Sequence, residues 1–450
     1  MNAAKTRHYN PSQILVFGSV LTILIGTILL MMPFATEDGE PLSLVDALFT
    51  ATSAACVTGL AVKDTATTFS TFGEVVILIL IQIGGLGFMT FTTLIAVLLG
   101  KKISVKERLI LREAMNQLNL EGVVKLVLYV LLITAVIEGV GTLLLALRWV
   151  PEWGWEKGLY YSLFHAISAF NNAGFDLFGD EPNGVSLSRY ATDPVVNLVV
   201  MVLVLLGSLG FVVFLELVQY RRTRRLSLHS KLVLAVTGMV VLAGTTLFWL
   251  IEWRNPRTIG SLSLPEKVLA GLFQMAASRT SGFLTLDAAS LYPPTQFLLI
   301  LLMFVGGAPN STAGGIKLTT FAVILLAVWA MIRGRDDVVV FYRRIPHQQV
   351  YKALTITVLA LVLVFTVTIL LLITEYHDAR FLEALYEASS AFAINGSSLG
   401  LTSQLTTGGK ILLSLTMFVG RLGPVTLAYA ISRRITKPSY RYPEERPLIG

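Results

Sequence analysis

The sequence has few charged residues and almost no cysteine. Charged residues make up 14% of the 450 positions and hydrophobic residues 54%, and the mean hydropathy is +0.71. A chain of this composition is too apolar for an ordinary water-soluble protein, so most of its surface is expected to face hydrocarbon. Cys56 is the single cysteine, which excludes a disulfide framework and any multi-cysteine metal site.

The sequence also lacks the motifs of common enzymes. It contains no His-Glu-x-x-His pattern, no nucleophile elbow, no Walker loop and no Gly-x-Gly-x-x-Gly. We therefore expect no enzymatic activity and no organic cofactor on this chain, and a nucleotide would have to act through a partner. His165 has no second histidine at metal-binding spacing, so it is expected to pack or form hydrogen bonds.

Eight apolar runs are long enough to cross a bilayer of roughly 30 Å. They lie at 14–32, 75–99, 123–147, 195–219, 231–251, 295–332, 353–373 and 411–431. The first run follows basic residues as a signal peptide would, but it is of spanning length and lacks a small-residue cleavage site, so it is interpreted as a membrane span. Four shorter apolar stretches are typical of re-entrant segments, and they lie at 42–55, 159–170, 266–277 and 382–392.

The charges are unevenly distributed along the chain. Basic residues cluster between Lys101 and Arg112, at 221–225, at 333–352 and at 433–446, and the alternate loops are acidic. The positive-inside rule places the basic loops and both termini in the cytoplasm. This distribution accounts for the net charge of +7 without a nucleic-acid partner. The outer acids either concentrate cations at a pore mouth or only solvate the loops.

The four short segments are copies of one pattern. Each begins with Leu and an aromatic residue and ends on a glycine, and the glycines Gly59, Gly174, Gly282 and Gly396 are 115, 108 and 114 residues apart. This period covers one span, one re-entrant segment and a second span. We therefore divide the chain into repeat 1 (1–122), repeat 2 (123–230), repeat 3 (231–352), repeat 4 (353–432) and a cytoplasmic tail (433–450).

Each re-entrant segment is interpreted as a pore helix followed by a filter strand. The negative end of such a helix would face the membrane centre, and non-helical backbone is tolerated at that depth only where it lines a pore or cavity or is buried in protein. Glycine permits the sharp turn, and rings of carbonyl groups can replace the hydration shell of potassium. The predicted ion-binding residues are Val57, Thr58 and Gly59; Asn172, Ala173 and Gly174; Thr280, Ser281 and Gly282; and Ile394, Asn395 and Gly396.

Two further features, the stretch 306–317 and Arg421, are unusual for membrane-spanning segments. The stretch 306–317 in the third repeat contains glycines and a proline that cannot continue a regular helix, so an intramembrane loop is expected. The residues of this stretch are Gly306, Gly307, Ala308, Pro309, Asn310, Ser311, Thr312, Ala313, Gly314, Gly315 and Lys317, and they form either a functional loop or a static kink filled by neighbouring side chains. Arg421 in the fourth repeat either faces the pore as a positive barrier or pairs with a carboxylate such as Glu216 or Glu138.

The filter motifs resemble those of the Ktr/Trk/HKT superfamily of potassium transporters, and eight spans resemble its bacterial Ktr branch. The resemblance rests on Val57-Thr58-Gly59-Leu60, Asn171-Asn172-Ala173-Gly174-Phe175, Arg279-Thr280-Ser281-Gly282-Phe283 and Asn395-Gly396-Ser397. It implies an all-α integral membrane protein in which four M1, pore helix and M2 units surround a pseudo-fourfold pore. It also implies a gate beneath the filter, formed by the loop and by Arg421.

The same resemblance implies an assembly and a location. The pore subunit would form a homodimer in the bacterial cell membrane, on a cytoplasmic ring of nucleotide-binding, KtrA-like regulatory subunits. Potassium would be the transported ion, with sodium as a possible activator. An alternating-access cation symporter is the alternative function, but such folds usually have two repeats, whereas this sequence has four.

Overall fold

The computed structural model describes residues 11–87, 90, 123–179, 186–376 and 379–423. The basic cluster between Lys101 and Arg112, the end of the first M2 segment, the end of the fourth and the tail 433–450 lie outside these residues. The described chain is almost entirely helical, and the helices follow the predicted order of outer helix, pore helix and second helix in each repeat.

The helix bounds are as follows. Repeat 1 contains α1 (Pro11–Leu30), α2 (Leu44–Cys56), α3 (Thr65–Thr68) and α4 (Thr71–Leu86), and repeat 2 contains α5 (Val123–Trp153), α6 (Trp155–Phe170), α7 (Pro194–Leu209) and α8 (Phe211–Thr223). Repeat 3 contains α9 (Leu228–Glu252), α10 (Leu264–Ala277), α11 (Pro293–Phe304) and α12 (Leu318–Ile332), and repeat 4 contains α13 (His347–Thr374), α14 (Phe381–Ala393) and α15 (Thr407–Leu422).

The four outer helices α1, α5, α9 and α13 are each long and apolar enough to cross a membrane, and their bounds agree closely with the predicted runs. The four predicted re-entrant segments are also separate helices, namely α2, α6, α10 and α14. Local sequence explains where they begin. Ser43 caps α2 by accepting the Asp46 N–H, and Ser263 forms a capping box with Glu266 at the start of α10.

The second spans differ from the expectation of continuous membrane crossings. Helices α4, α7 and α15 each end at a glycine with positive φ, at Gly87 (84°), Gly210 (85°) and Gly423 (80°). Helix α8 leaves α7 at an angle of 98°. A residue at such a φ cannot continue an α-helix, so the glycine-rich turns terminate the helices within the predicted spans.

The repeats are arranged in a closed cycle. The second helix of each repeat packs against the pore helix of the next: α4 contacts α6, α7 contacts α10, α11 contacts α14, and α15 returns to α2. Lys410 on α15 and Asp46 on α2 form an ion pair of 2.7 Å at this last junction, with both side chains mostly buried. The chain therefore folds into a ring in which the first repeat touches the fourth.

Buried glutamates hold the second helices in two repeats. The Glu252 carboxylate at the end of α9 accepts hydrogen bonds from the Tyr292 N–H at the start of α11 (2.9 Å) and from the Thr295 hydroxyl (2.6 Å). Glu375 after α13 does the same for α15, because it accepts the Thr406 N–H and hydroxyl. Each carboxylate satisfies free N–H or hydroxyl groups at a helix start and fixes the outer helix to the second helix of its own repeat.

A small antiparallel hairpin interrupts the helices between repeats 3 and 4. Strands β1 (Val338–Val340) and β2 (Arg343–Ile345) pair through a two-residue turn, Phe341 and Tyr342, which both have positive φ. The hairpin packs on Ala330 of α12. No strand was predicted for these residues.

We predict that Asp46→Asn weakens the junction between repeats 4 and 1, because Lys410 would lose its charged partner in a mostly buried position. A hydrogen bond to a charged group contributes about 1.5–3 kcal/mol, so the midpoint of thermal unfolding in detergent should fall by several degrees. Asp337→Asn is the matched control, since its ion pair with Arg344 is exposed and such pairs contribute about 0–1 kcal/mol. Equal midpoints for the two variants would contradict the prediction.

Candidate ion pathway and intramembrane loop

The four filter glycines lie in a ring, and each packs against the backbone of the filter strand in the next repeat. A Cβ atom added to Gly59 would lie 2.2 Å from the backbone oxygen of Ala173. The corresponding neighbours are the Ser281 oxygen for Gly174 (2.2 Å), the Asn395 oxygen for Gly282 (2.3 Å) and the Thr58 oxygen for Gly396 (2.0 Å). Each glycine of one repeat therefore abuts the carbonyl group that precedes the glycine of the next, and the ring closes after four.

The backbone turns sharply in each filter strand. All four glycines have positive φ, between 69° and 96°. In repeats 1, 2 and 4 the residue two positions earlier also has positive φ: Val57, Asn172 and Ile394. The left-handed conformation is costly for β-branched residues such as Val57 and Ile394, so the surrounding structure must impose it.

The third filter strand has a different backbone. The segment from Leu272 to Gly282 is one residue shorter than the corresponding segment from Leu48 to Gly59. Thr280, two positions before the glycine, has no positive φ, and Ser278, the C-cap of α10, is in the right-handed conformation. The filter is therefore fourfold in the position of its glycines but not in the path of the chain before them.

A pore-helix serine bonds to the chain at or just after the filter glycine in three of the four repeats, a role that the sequence reasoning missed. Ser53 and Ser390 each accept the N–H of the filter glycine six positions later, at 3.1 Å. Ser168, the corresponding residue of repeat 2, donates to the Phe175 carbonyl at 2.7 Å. A serine at the sixth position of the segments that begin Leu48, Leu163 and Leu385 was visible in the alignment and could have revealed this role.

Other pore-helix side chains hold the chain beyond the filter. The Leu177 N–H donates to His165 Nε2 at 3.3 Å, while Nδ1 lies 2.7 Å from the Tyr161 carbonyl, so His165 is a hydrogen-bonding residue inside the fold. Glu387 in repeat 4 occupies the corresponding position, and it accepts the Leu399 N–H. No group of three His, Cys, Asp or Glu side chains that could hold a metal ion occurs in the described part of the chain.

An acidic pair lies close behind the second filter strand. Asp176 follows Gly174 by two residues, and the Asp64 carboxylate is near it. The pKa of Asp176 is raised to about 6, mainly by burial and also by the charge of Asp64, while the hydrogen bond from the Phe178 N–H lowers it. Acidic side chains therefore lie at this end of the second filter strand.

The predicted loop is present as an irregular segment between α11 and α12. It is closed at its neck, where Gly306 N–H donates to the Ile316 carbonyl at 3.1 Å and Ile316 N–H donates to the Phe304 carbonyl at 3.1 Å. Asn310 has a φ of 59° within the loop, and Gly315 has a φ of 70° where the chain returns to the neck. Lys317 bonds back to the loop through the Ala313 carbonyl, at 2.6 Å.

The loop rests on the bend of repeat 2. Ala308 N–H donates to the Ser208 carbonyl (2.9 Å), and Phe211 N–H donates to the Asn310 carbonyl (3.0 Å). A Cβ atom on Gly210 would lie 2.5 Å from the Pro309 oxygen. On its other side the loop approaches the fourth filter strand, where Gly314 lies against Ile394. The segment therefore bridges repeats 2 and 4 directly below the filter.

Arg421 binds backbone carbonyl groups. Its guanidinium donates to the Thr312 carbonyl in the loop, and to the Gly84 and Gly85 carbonyls near the end of α4. The alternative pairing with Glu216 or Glu138 is wrong: Glu216 accepts the Ser227 N–H, and Glu138 accepts the side chains of Gln82 and Asn171. The arginine of repeat 4 thus links the loop of repeat 3 to the second helix of repeat 1.

The chain matches one family model over nearly its whole length. Residues 2–444 match the TrkH family, described as a cation transport protein. The chain is 46% identical to the Ktr system potassium uptake protein B of Bacillus subtilis, over 98% of this chain and 97% of the relative. It is 37% identical to the potassium/sodium uptake protein NtpJ of Enterococcus hirae, over 99% and 98% respectively.

A solved structure has the same fold. The potassium transporter TrkH from Vibrio parahaemolyticus superposes with a TM-score of 0.74 at 17% sequence identity, covering 96% of this chain and 87% of the other. This likeness supports the multi-pass helical architecture. The family match and the full-length relatives establish the family. The chain therefore belongs to the TrkH family of cation transport proteins.

Proposed function

We propose that this chain is the potassium-conducting pore subunit of a Ktr-type uptake system in the cell membrane. The observation that carries the proposal is the closed ring of four glycines and four backbone oxygens. Carbonyl rings at the negative ends of four pore helices suit a monovalent cation that sheds its water. The relatives named as potassium uptake proteins support potassium as that cation.

The predicted filter residues act through their backbone in this proposal. Three of their polar side chains are hydrogen-bonded elsewhere: Asn395 donates to the Ser278 carbonyl at 2.8 Å, Ser281 donates to the Ala277 carbonyl at 3.1 Å, and Asn172 contacts the loop. The Thr58 hydroxyl is buried without a hydrogen-bond partner among the described residues. Carbonyl oxygens at 57–59, 172–174, 280–282 and 394–396 are then the ion ligands, without a carboxylate at the centre. Neutral ligands favour a monovalent ion over calcium.

The loop 306–317 and Arg421 form the gate in this proposal. A guanidinium below a cation filter is a fixed positive charge in the ion path, and its hydrogen bonds to the loop tie the barrier to the position of the loop. We further propose the rest of the assembly: a homodimer with cytoplasmic termini, a cytoplasmic nucleotide-binding regulatory ring and activation by sodium. The relative named for potassium and sodium uptake makes sodium worth testing.

The decisive experiment is rubidium uptake into proteoliposomes that contain the purified chain, with potassium and sodium as competitors. We expect potassium to compete more strongly than sodium, and a co-expressed cytoplasmic regulator to change the rate. Resolved unitary currents in planar bilayers would exclude the alternating-access symporter. Saturable uptake without such currents would favour the symporter, and the absence of any rubidium uptake would reject both functions.

We predict that Gly59→Ser lowers potassium over sodium discrimination by at least about tenfold, or roughly 1.4 kcal/mol. Its Cβ would collide with the Ala173 oxygen and displace a carbonyl of the ring. Competition of sodium with rubidium uptake measures the effect. Gly39→Ser is the control, because Gly39 also has positive φ (71°) but has no atom within 4 Å of an added Cβ. Retained discrimination in Gly59→Ser would count against the filter assignment.

Two substitutions of Arg421 separate a charge barrier from a tether. If the positive charge limits flux, Arg421→Gln should raise the maximal uptake rate severalfold, and Arg421→Lys should remain near the wild-type rate. If the fork of hydrogen bonds to Gly84 and Thr312 is what matters, both variants should conduct faster, because lysine cannot reproduce the planar fork. We expect the barrier pattern, and an unchanged rate in both variants would remove Arg421 from the gate.

A further inference from the structure

Thr312 is the point at which the loop reaches the second filter strand. It is fully buried, and its hydroxyl oxygen accepts a hydrogen bond of 2.6 Å from the side-chain amide of Asn172. The hydroxyl lies 3.1 Å from the Gly207 carbonyl, to which it can donate. The backbone of the same residue donates to the Gly207 carbonyl and accepts from Arg421. One loop residue therefore contacts three parts of the fold: the second filter strand, the bend between α7 and α8, and Arg421 of repeat 4.

Asn172 transmits this contact into the filter. It belongs to the second filter strand, two positions before Gly174, and has a φ of 60°. Its side-chain oxygen accepts a hydrogen bond of 3.0 Å from the hydroxyl of Thr280 in the third strand. Thr312, Asn172 and Thr280 thus form a continuous chain of hydrogen bonds from the loop through two filter strands.

The corresponding positions in repeats 1 and 4 are apolar, Val57 and Ile394. Those strands are held by the glycine N–H bonds to Ser53 and Ser390, whereas Ser168 makes a different contact in repeat 2. The second strand therefore lacks the brace that repeats 1 and 4 share, and the Asn172 side chain replaces it with a link to the loop. A buried amide that loses such a partner is costly, so the orientation of Asn172 depends on Thr312.

We propose that Thr312 is a positioning residue for ion selectivity: its hydroxyl holds Asn172 so that the carbonyls at 172–174 stay on the ring. The inference rests on the proposed potassium function and deepens it. The loop then belongs to the selectivity machinery as well as to the gate. Ion occupancy of the filter and docking of the loop are coupled, and the coupling acts in both directions.

The test compares Thr312→Val, which keeps the shape and removes the hydroxyl, with Thr312→Ser, which keeps the hydroxyl. In the rubidium uptake assay, Thr312→Val should reduce potassium over sodium discrimination by about threefold to tenfold and raise the half-saturating potassium concentration. Thr312→Ser should behave as wild type. Thr368→Val is the matched control, because the buried Thr368 hydroxyl on the outer helix α13 donates to the Val364 carbonyl of its own helix, at 2.8 Å.

A purely gating role would give a different result: Thr312→Val would change the maximal rate alone, with discrimination and half-saturation unchanged, and this would overturn the proposal. Thr280→Val removes the hydrogen bond at the other end of the Thr312, Asn172 and Thr280 series. It tests the same positioning role if Thr312→Val does not fold. The effects of the two substitutions on discrimination should be less than additive in the double variant. Fully additive effects would also contradict the proposal. A wild-type chain without potassium selectivity would instead reject the proposed function itself.

Discussion

The contact between a filter glycine and the carbonyl oxygen of the next repeat is the constraint on which the arrangement depends. At Gly59 and at Gly396 an added methyl carbon would lie about 2 Å from a neighbouring backbone oxygen, which is far inside van der Waals distance. The four strands can approach one axis only because no side chain separates them. The pore helices, the outer helices and the cyclic packing of each second helix on the next pore helix all support this close approach.

Departures from fourfold symmetry are concentrated around repeats 2 and 3. The third strand is one residue short, and the buried Arg279 beside it donates to the Ser208 hydroxyl at 2.9 Å. The carbonyl of Ser208 in turn accepts the Ala308 N–H of the loop. The irregular strand, the 98° bend and the loop therefore touch one another. A ring of four identical strands would provide no distinct site for such a loop, so the asymmetry of the filter and the presence of the loop have a common structural origin.

Sequence reasoning located the elements that depend on local pattern. The outer helices, the pore helices, the positions of the filter glycines and the irregular loop follow from hydrophobic run length, the Leu-aromatic repeat and the glycine and proline content. It did not predict where α4, α7 and α15 end. The apolar runs continue past Gly87, Gly210 and Gly423, although the positive φ of each glycine ends the helix there. The hydrogen bond from Asn172 to Thr312 joins residues 140 positions apart, and no local pattern could indicate it. The partners of Arg421 could not be predicted from the sequence either, because every residue has a backbone carbonyl and no residue type marks the ones that bind a guanidinium.

The carbonyl partners of Arg421 bear on the proposed gate. A carboxylate partner would neutralise the guanidinium and remove most of its field from the ion path. Carbonyl groups carry partial charges only, so the arginine is held in place while its positive charge remains largely uncompensated. Two of these carbonyls, those of Gly84 and Thr312, belong to different repeats, so movement of the loop necessarily changes the environment of the charge. In the proposed gate, barrier and latch are therefore properties of one side chain, and the loop could act on ion flow without itself filling the pore.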